Sequence, residues 1–400
     1  MTIPQQISGP LDGIRVVELG QLIAGPFCGQ LLGDMGADVI KVEQPGAGDP
    51  MREWGRGEAK LWWEIVSRNK RAVSADLRVP EGRELVRKLS AQADILIENF
   101  RPGTLEKWGM APETLMDENP RLIVVRVSGF GQSGPYSGRA GYGSIGEAMG
   151  GMRYVIGEPD RPPARAGISI GDSLAASYGC MGALAALHRR TITGRGQVID
   201  CALYEAVLQV MESLVPEYEV SGLVRERSGS VLPGVSPSNV YPCADGEFLI
   251  AANQDSVFKR LCTAIGRPDL VENPRFATHH ARGENMAELD DLIADWTRTR
   301  TADEVAAIME EHGVPSGTIF RAPEMLENEH YRARQSLIEV DHPRWGPIHM
   351  QNVCPRLSET PGSIRSCAPQ QVGQHNSEVY RELLGLDDAA LAELERRRII

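Results

Sequence analysis

Through its first half the chain alternates short β-branched and aliphatic runs with amphipathic or turn-rich stretches. Residues 14–18 (IRVVE) read as a buried strand, the GQLIAGP that follows as a loop, and 27–32, ahead of Gly33, as a helix. Residues 38–42 (DVIKV), 93–97 and 122–127 (LIVVRV) supply further strands, separated by amphipathic stretches such as 81–89. Strands alternating with helices imply βαβ units, so the predicted class is α/β with a mostly parallel sheet and ligands at the strands' carboxyl ends.

From Gly129 to Gly157 glycine is dense, which predicts a long loop. It is either a plain surface connection or a place where backbone comes close to a ligand. Residues 173–190 predict a helix stopped by the glycines of TITGRG, 197–200 a strand and 205–215 another helix. Gly, Ser, Pro and Arg dominate 221–239, which marks a domain boundary. Residues 241–252 read as a hairpin turning at Asp245-Gly246. Several helices follow, ending at 302–311, then a strand over 314–320. Turn-rich extended pieces lead to closing helices near 376–383 and 388–397.

The 400 residues exceed one ordinary domain. With 42 basic against 54 acidic side chains the net charge is −12, which argues against a general nucleic-acid or anionic-membrane surface and requires any polyanionic ligand to find a local cationic cluster. Residues 1–9 lack the basic and apolar regions of a signal peptide. The most apolar helix-length stretch, 174–187, is interrupted by Ser177, Tyr178, Gly179 and Gly182 and is too short to span a bilayer. Seven scattered cysteines without a CxxC pair, and histidines without HxH or HxxxH spacing, point to a reduced cytoplasmic protein with no metal site. Neither GxGxxG nor GxxxxGK[ST] occurs, so the dinucleotide and phosphate-loop fingerprints are absent.

Gly171-Asp172-Ser173 sits between an extended segment and an Ala-rich helix. A carboxylate there is either an N-cap satisfying free amides or a reactive group at the helix's positive end, where the dipole favours the ionised, nucleophilic form.

At these residues the chain resembles the class III CoA-transferases, the formyl-CoA transferase or carnitine CoA-transferase family. The match runs through Pro10-Leu11-Asp12-Gly13, Ala24-Gly25-Pro26, the segment from Gly36 to Glu43, Gly48-Asp49-Pro50, Asn69-Lys70-Arg71 and the segment from Glu98 to Gly103. It continues through Ser128-Gly129-Phe130-Gly131, Gly134-Pro135-Tyr136, Gly171-Asp172, the segment from Thr193 to Gln197, Gly313-Val314-Pro315 and Gly373-Gln374-His375. The resemblance implies transfer of coenzyme A between carboxylic acids through an aspartyl anhydride and an aspartyl-CoA thioester, with Asp172 as nucleophile. No permanently bound cofactor is implied, and the CoA thioester is the substrate. The matching CoA-contact positions are Ala24, Asn99, Phe100, Lys107 and Trp108, with Arg71, Arg101 and Arg139 as further candidates. Amide donors for the tetrahedral oxyanions are expected from residues 138–143 or the loop near Gly234.

Two departures bear on specificity. Gln44 and Ile23 stand where formyl-CoA transferases have Arg and Gln, and the run of consecutive glycines over that enzyme's site is replaced by the stretch from Leu232 to Asn239. Tyr142 stands where the superfamily's α-methylacyl-CoA racemases carry a catalytic His, and a phenol of ordinary pKa about 10 is a poor neutral-pH base. A racemase-like or a formyl-CoA/oxalate enzyme remains the alternative. Residues 142–172 look closest to the dicarboxylate branch, acting on succinyl-CoA with malate, citramalate, mesaconate or itaconate. Arg153 or Arg165 would then hold the second carboxylate, with Tyr142 and Gly234 as further substrate contacts. The resemblance also implies a Rossmann-like large domain built from 1–222 and 323–400, a small α+β domain from 223–322, and an interlocked homodimer.

Overall fold

The computed structural model describes residues 9–400; residues 1–8, where no signal-peptide pattern is expected, lie outside the described residues. The chain divides into two compact units. One comprises residues up to Arg153, Ala166–Pro216 and Gln335–Ile400; the other comprises Tyr154–Arg165 and Glu217–Arg334. The second unit thus extends past both limits of the 223–322 span expected for the small domain and takes in Tyr154–Arg165 as well.

The first unit is built on a parallel sheet of β1 (Arg15–Glu18), β2 (Asp38–Glu43), β3 (Lys70–Ser74), β4 (Ile95–Glu98), β5 (Ile123–Ser128) and β6 (Val198–Ala202). The strands lie in the order β3-β2-β1-β4-β5-β6, and all five pairings are parallel. This is the doubly wound dinucleotide-fold order, reached without the glycine fingerprint. The strands read as continuous apolar runs because both faces are covered. Val17, Ile40, Leu96 and Val124 join one core with Val86, Leu89 and Tyr380. Their neighbours Val16, Val39, Ile95, Ile97 and Val125 join another with Cys28, Leu32, Ala175 and Ala183.

Most predicted elements lie within a few residues of their expected places, but three expectations need correction. Residues 129–157 are not one loop: they contain helices at Gly143–Met149 and Met152–Val155. Their glycines serve close packing, since a Cβ on Gly146 would sit 2.8 Å from that of Leu203, and one on Gly150 2.6 Å from Val207. The helix expected at 205–215 is two, Leu203–Leu208 and Leu214–Ser221, and Glu212 between them adopts φ +54°. The Ala-rich helix runs Ile170–Thr193. At 24 residues it is longer than the 173–190 expected, and its most apolar 18-residue window, of mean hydropathy 1.2, meets by length and composition alone the measure of a membrane span, as the core helix of a soluble protein also does. Its small residues Ala175, Ala176, Gly179 and Ala183 are buried, and Gly179 lies over Val125 of β5.

The first unit also holds an antiparallel hairpin of its own, β10 (Leu337–His342) with β11 (Gly346–Gln351). The second unit carries an antiparallel sheet of β7 (Ser238–Pro242), β8 (Glu247–Ala251) and β9 (Ser316–Thr318). Helices including Asp255–Ala264, Met286–Thr297 and Ala302–Glu311 cover that sheet around Phe248, Ile250, Phe258 and Leu289.

Candidate active site

In a doubly wound sheet, ligands sit outside the carboxyl ends of the strands where the winding reverses, here between β1 and β4. The loop after β1 is fixed residue by residue. Lys41 Nζ donates to the carbonyl of Gly20. The Asn99 side chain, from the loop after β4, accepts from the Gln21 N–H and donates to the Gln21 carbonyl, both at 2.8 Å. Asp49 accepts from the Leu22 N–H at 3.1 Å, which holds Leu22 at φ +62°. Gly20 and Gly25 bracket the turn so closely that a Cβ on Gly20 would lie 2.8 Å from the Gly25 Cα.

Beneath this loop lies a cluster of charges almost excluded from solvent. Lys41 sits 2.7 Å from Asp49 and 3.4 Å from Glu18, while Lys70 pairs with Glu18 at 2.7 Å and donates to the Pro26 carbonyl at 2.7 Å. Burial pulls both ammonium groups down. For Lys41, Asp49 and Glu18 outweigh that pull and leave it above its ordinary value, whereas Lys70 remains below. Ions buried this deeply are stable only as a mutually satisfied set.

After β4 the backbone is shaped in a similar way. Glu98 accepts from the Phe100 N–H at 2.7 Å and from Arg126 at 2.7 Å, and Arg126 also reaches Glu106 of the Thr104–Lys107 helix at 2.7 Å. Burial raises the Glu98 carboxyl, with Arg126 opposing. Phe100 and Trp108 meet edge to face at 5.2 Å, both half-buried, while Arg101 and Lys107 are exposed.

Past β5 the chain returns on itself, with Gly129 and Gly141 so close that a Cβ on either would fall within 2.7 Å of the other's Cα. Exposed Arg139 stacks on Tyr136 at 3.6 Å. The Ile170–Thr193 helix feeds β6, so it runs back along the sheet and its first turn opens at the same carboxyl edge. The cap position is Ser169, which makes Asp172 a half-buried first-turn residue rather than the cap itself. Its carboxylate lies against Gly143, where a Cβ would come 2.7 Å from the Asp172 Cγ, and Gly171 in turn crowds the Gly143 carbonyl.

The fold therefore gathers Ala24, Asn99, Phe100, Arg101, Lys107, Trp108, Arg139, Tyr142 and Asp172 on elements that open at one edge of one sheet. It does not bring Arg71 there. That guanidinium is bound to Asp38 at the amino end of β2, at 2.6 Å, and to Glu378 and Glu382 at 2.9 and 2.6 Å. Arg71 and Asp38 line a cavity of about 380 Å³ at the sheet's opposite edge, with Asp12, Arg365 and His375. Arg153 belongs to the first unit, whereas Arg165 and Gly234 belong to the second. The sequence reading assigned no role to Lys41, Asp49 or Glu147. The signal for Glu18 and Lys41 was a charged residue inside an apolar strand, which requires a buried partner.

The family described as CoA-transferase family III matches residues 11–376. Succinyl-CoA–D-citramalate CoA-transferase of Chloroflexus aurantiacus is 58% identical over 395 residues, 98% of each chain. The beta subunit of succinyl-CoA–L-malate CoA-transferase from the same organism is 41% identical over 398 residues, again 98% of each. Among solved structures, a CAIB/BAIF family protein from Brucella suis superposes with a TM-score of 0.82 at 37% identity, covering 94% of this chain and all of that one. A match of this extent, on a doubly wound sheet whose carboxyl edge carries an aspartate at a helix mouth, establishes that the chain belongs to CoA-transferase family III and is a CoA-transferase.

Proposed function

We propose that the protein transfers coenzyme A from succinyl-CoA to a short dicarboxylic acid, with Asp172 as the covalent carrier. The observation that carries this reading is the setting of Asp172: in the first turn of a 24-residue helix, half-buried, with its carboxylate seated on the bare Cα of Gly143. The donor and acceptor classes rest on the relatives, which act on succinyl-CoA with D-citramalate and with L-malate.

The steps balance without a resident cofactor. An Asp172 oxygen attacks the thioester carbonyl, the C–S bond breaks, and CoA leaves as thiolate from a mixed anhydride. The thiolate then attacks the aspartyl carbonyl, the anhydride C–O bond breaks, and the donor acid departs as carboxylate from an aspartyl-CoA thioester. The acceptor carboxylate repeats the sequence in reverse, regenerating Asp172 with no net proton exchanged. Anhydride and thioester are similarly activated, so little free energy is dissipated between steps.

Ala24, Asn99, Phe100, Arg101, Lys107, Trp108 and Arg139 would hold CoA from the loops of that edge. Arg71 is left out because its ion pairs occupy it elsewhere. The second copy expected of a homodimer finds support in apolar side chains left bare on the first unit. Met181 and Ile192, 58% and 66% exposed, lie about three turns apart on one helix face. The cysteines are all free, in keeping with a cytoplasmic setting.

Intact-protein mass spectrometry after incubation with succinyl-CoA tests the carrier. The expected result is a CoA-sized adduct, converted by hydroxylamine to a hydroxamate on Asp172 and missing from Asp172→Ala. Undiminished exchange by Asp172→Ala would overturn the reading.

A further inference from the structure

The helix that supports Asp172 also contains a carboxylate that neither the sequence reading nor the proposed chemistry uses. Glu147 is 0% exposed. One oxygen, Oε1, is buried and makes no hydrogen bond among the described residues; the other, Oε2, accepts from Arg153 Nη2 at 2.7 Å and Nε at 3.3 Å. Ionised side chains are not sequestered at this cost without a reason that outweighs it. The Arg153 side chain keeps 27% of its surface exposed, and its Nη1 has no protein partner among the described residues.

Position suggests what the pair does. Glu147 follows Gly143 by four residues on the Gly143–Met149 helix, so the two share a face about one turn, or roughly 5.4 Å, apart. Helical side chains lean toward the helix N-terminus, which carries the Glu147 carboxylate back toward Gly143, the residue on which Asp172 rests. The Glu147 that holds the guanidinium thus lies one helical turn along the same helix from the glycine on which Asp172 rests. With Nε and Nη2 taken by Glu147, the Nη1 edge remains for a ligand.

We propose that Glu147 is a positioning residue for substrate selection. Its buried carboxylate fixes the Arg153 guanidinium so that the free edge receives the distal carboxylate of the dicarboxylic acid whose other carboxyl reacts at Asp172. This deepens the proposed function and rests on it. A flexible arginine would bind the same anion more weakly, because ordering the side chain would fall on the binding step. Arg165, in the other unit, is not needed for this role.

The test is steady-state kinetics with succinyl-CoA and a dicarboxylate acceptor, D-citramalate or L-malate, on the wild-type enzyme, Glu147→Gln, Arg153→Met and the double variant. Each single substitution is expected to raise the acceptor KM at least tenfold with kcat within about threefold. The double variant is expected to be no worse than Arg153→Met, because Glu147 acts only through Arg153. An unchanged KM in Glu147→Gln, an unchanged KM in Arg153→Met, or additive losses in the double variant would each overturn the proposal. The isosteric Gln substitution leaves an arginine that water can still reach, the double variant removes both charges, and circular dichroism of each checks that the enzyme assayed is folded. Failure here would leave the Asp172 adduct intact, whereas failure of the Asp172 reading would remove the adduct from the wild-type enzyme.

Discussion

At the residue scale, the contact between Gly143 and Asp172 makes a sharper demand than the aspartate alone. No side chain fits at position 143 while the carboxylate keeps its place, since even a methyl group would reach within 2.7 Å of the Asp172 Cγ. Gly143→Ala should therefore lower kcat by 100-fold or more by tilting the nucleophile off its line of attack, while the circular dichroism spectrum stays that of the wild type. A variant with normal kcat would show that the carboxylate has freedom to move. Asp172 stood out in the sequence because the glycine–aspartate motif of the resembled family falls on it, position alone leaving a cap and a nucleophile both open. Gly143 was not, because its meaning is a contact with a residue distant in the chain.

At the element scale, the loop after β1 takes its shape from side chains on three other elements, Lys41 on β2, Asp49 beyond it and Asn99 after β4. Removing one member of this buried set strands the rest. Asp49→Ala should cost about 3–5 kcal/mol of stability, read by denaturant unfolding, because Lys41 loses its nearest counter-ion in a site closed to water. The same variant should raise KM for acyl-CoA, as the Leu22 N–H loses its acceptor and the turn relaxes. Unfolding at the wild-type midpoint would mean that Glu18 alone compensates Lys41. The strands were readable because both faces of a parallel sheet are apolar, a property of short runs. The stretch 129–157 was misread because its glycines look like loop formers, whereas Gly146 and Gly150 serve to let two helices touch.

At the scale of the whole molecule, the C-terminal segment closes onto β3 of its own unit through His375, whose backbone N–H donates to the Ala72 carbonyl at 2.9 Å and whose Nδ1 accepts from the Ala72 N–H at 3.0 Å. Burial holds the imidazole below its ordinary value, Arg71 adding to the effect and Glu378 opposing it. Unfolding releases the group to its usual pKa near 6.5, so below that pH the unfolded chain binds the extra proton and stability falls as pH falls toward the lower folded value. His375→Asn, which keeps an acceptor for Ala72, should lose less melting temperature than the wild type between about pH 7.5 and 5.5. Equal losses would assign the acid sensitivity to other groups. The amino-acid order by itself determined the alternation of strand and helix and the family, and through the family motif pointed to the aspartate, because each of these is written in local runs and ordered motifs. Which strand neighbours which, that Gly143 receives Asp172, that Glu147 grips Arg153 and that Arg71 turns to the opposite edge were decided only by tertiary structure. Such pairings join residues that sequence spacing leaves unrelated, and their energy comes from excluding water when the chain closes.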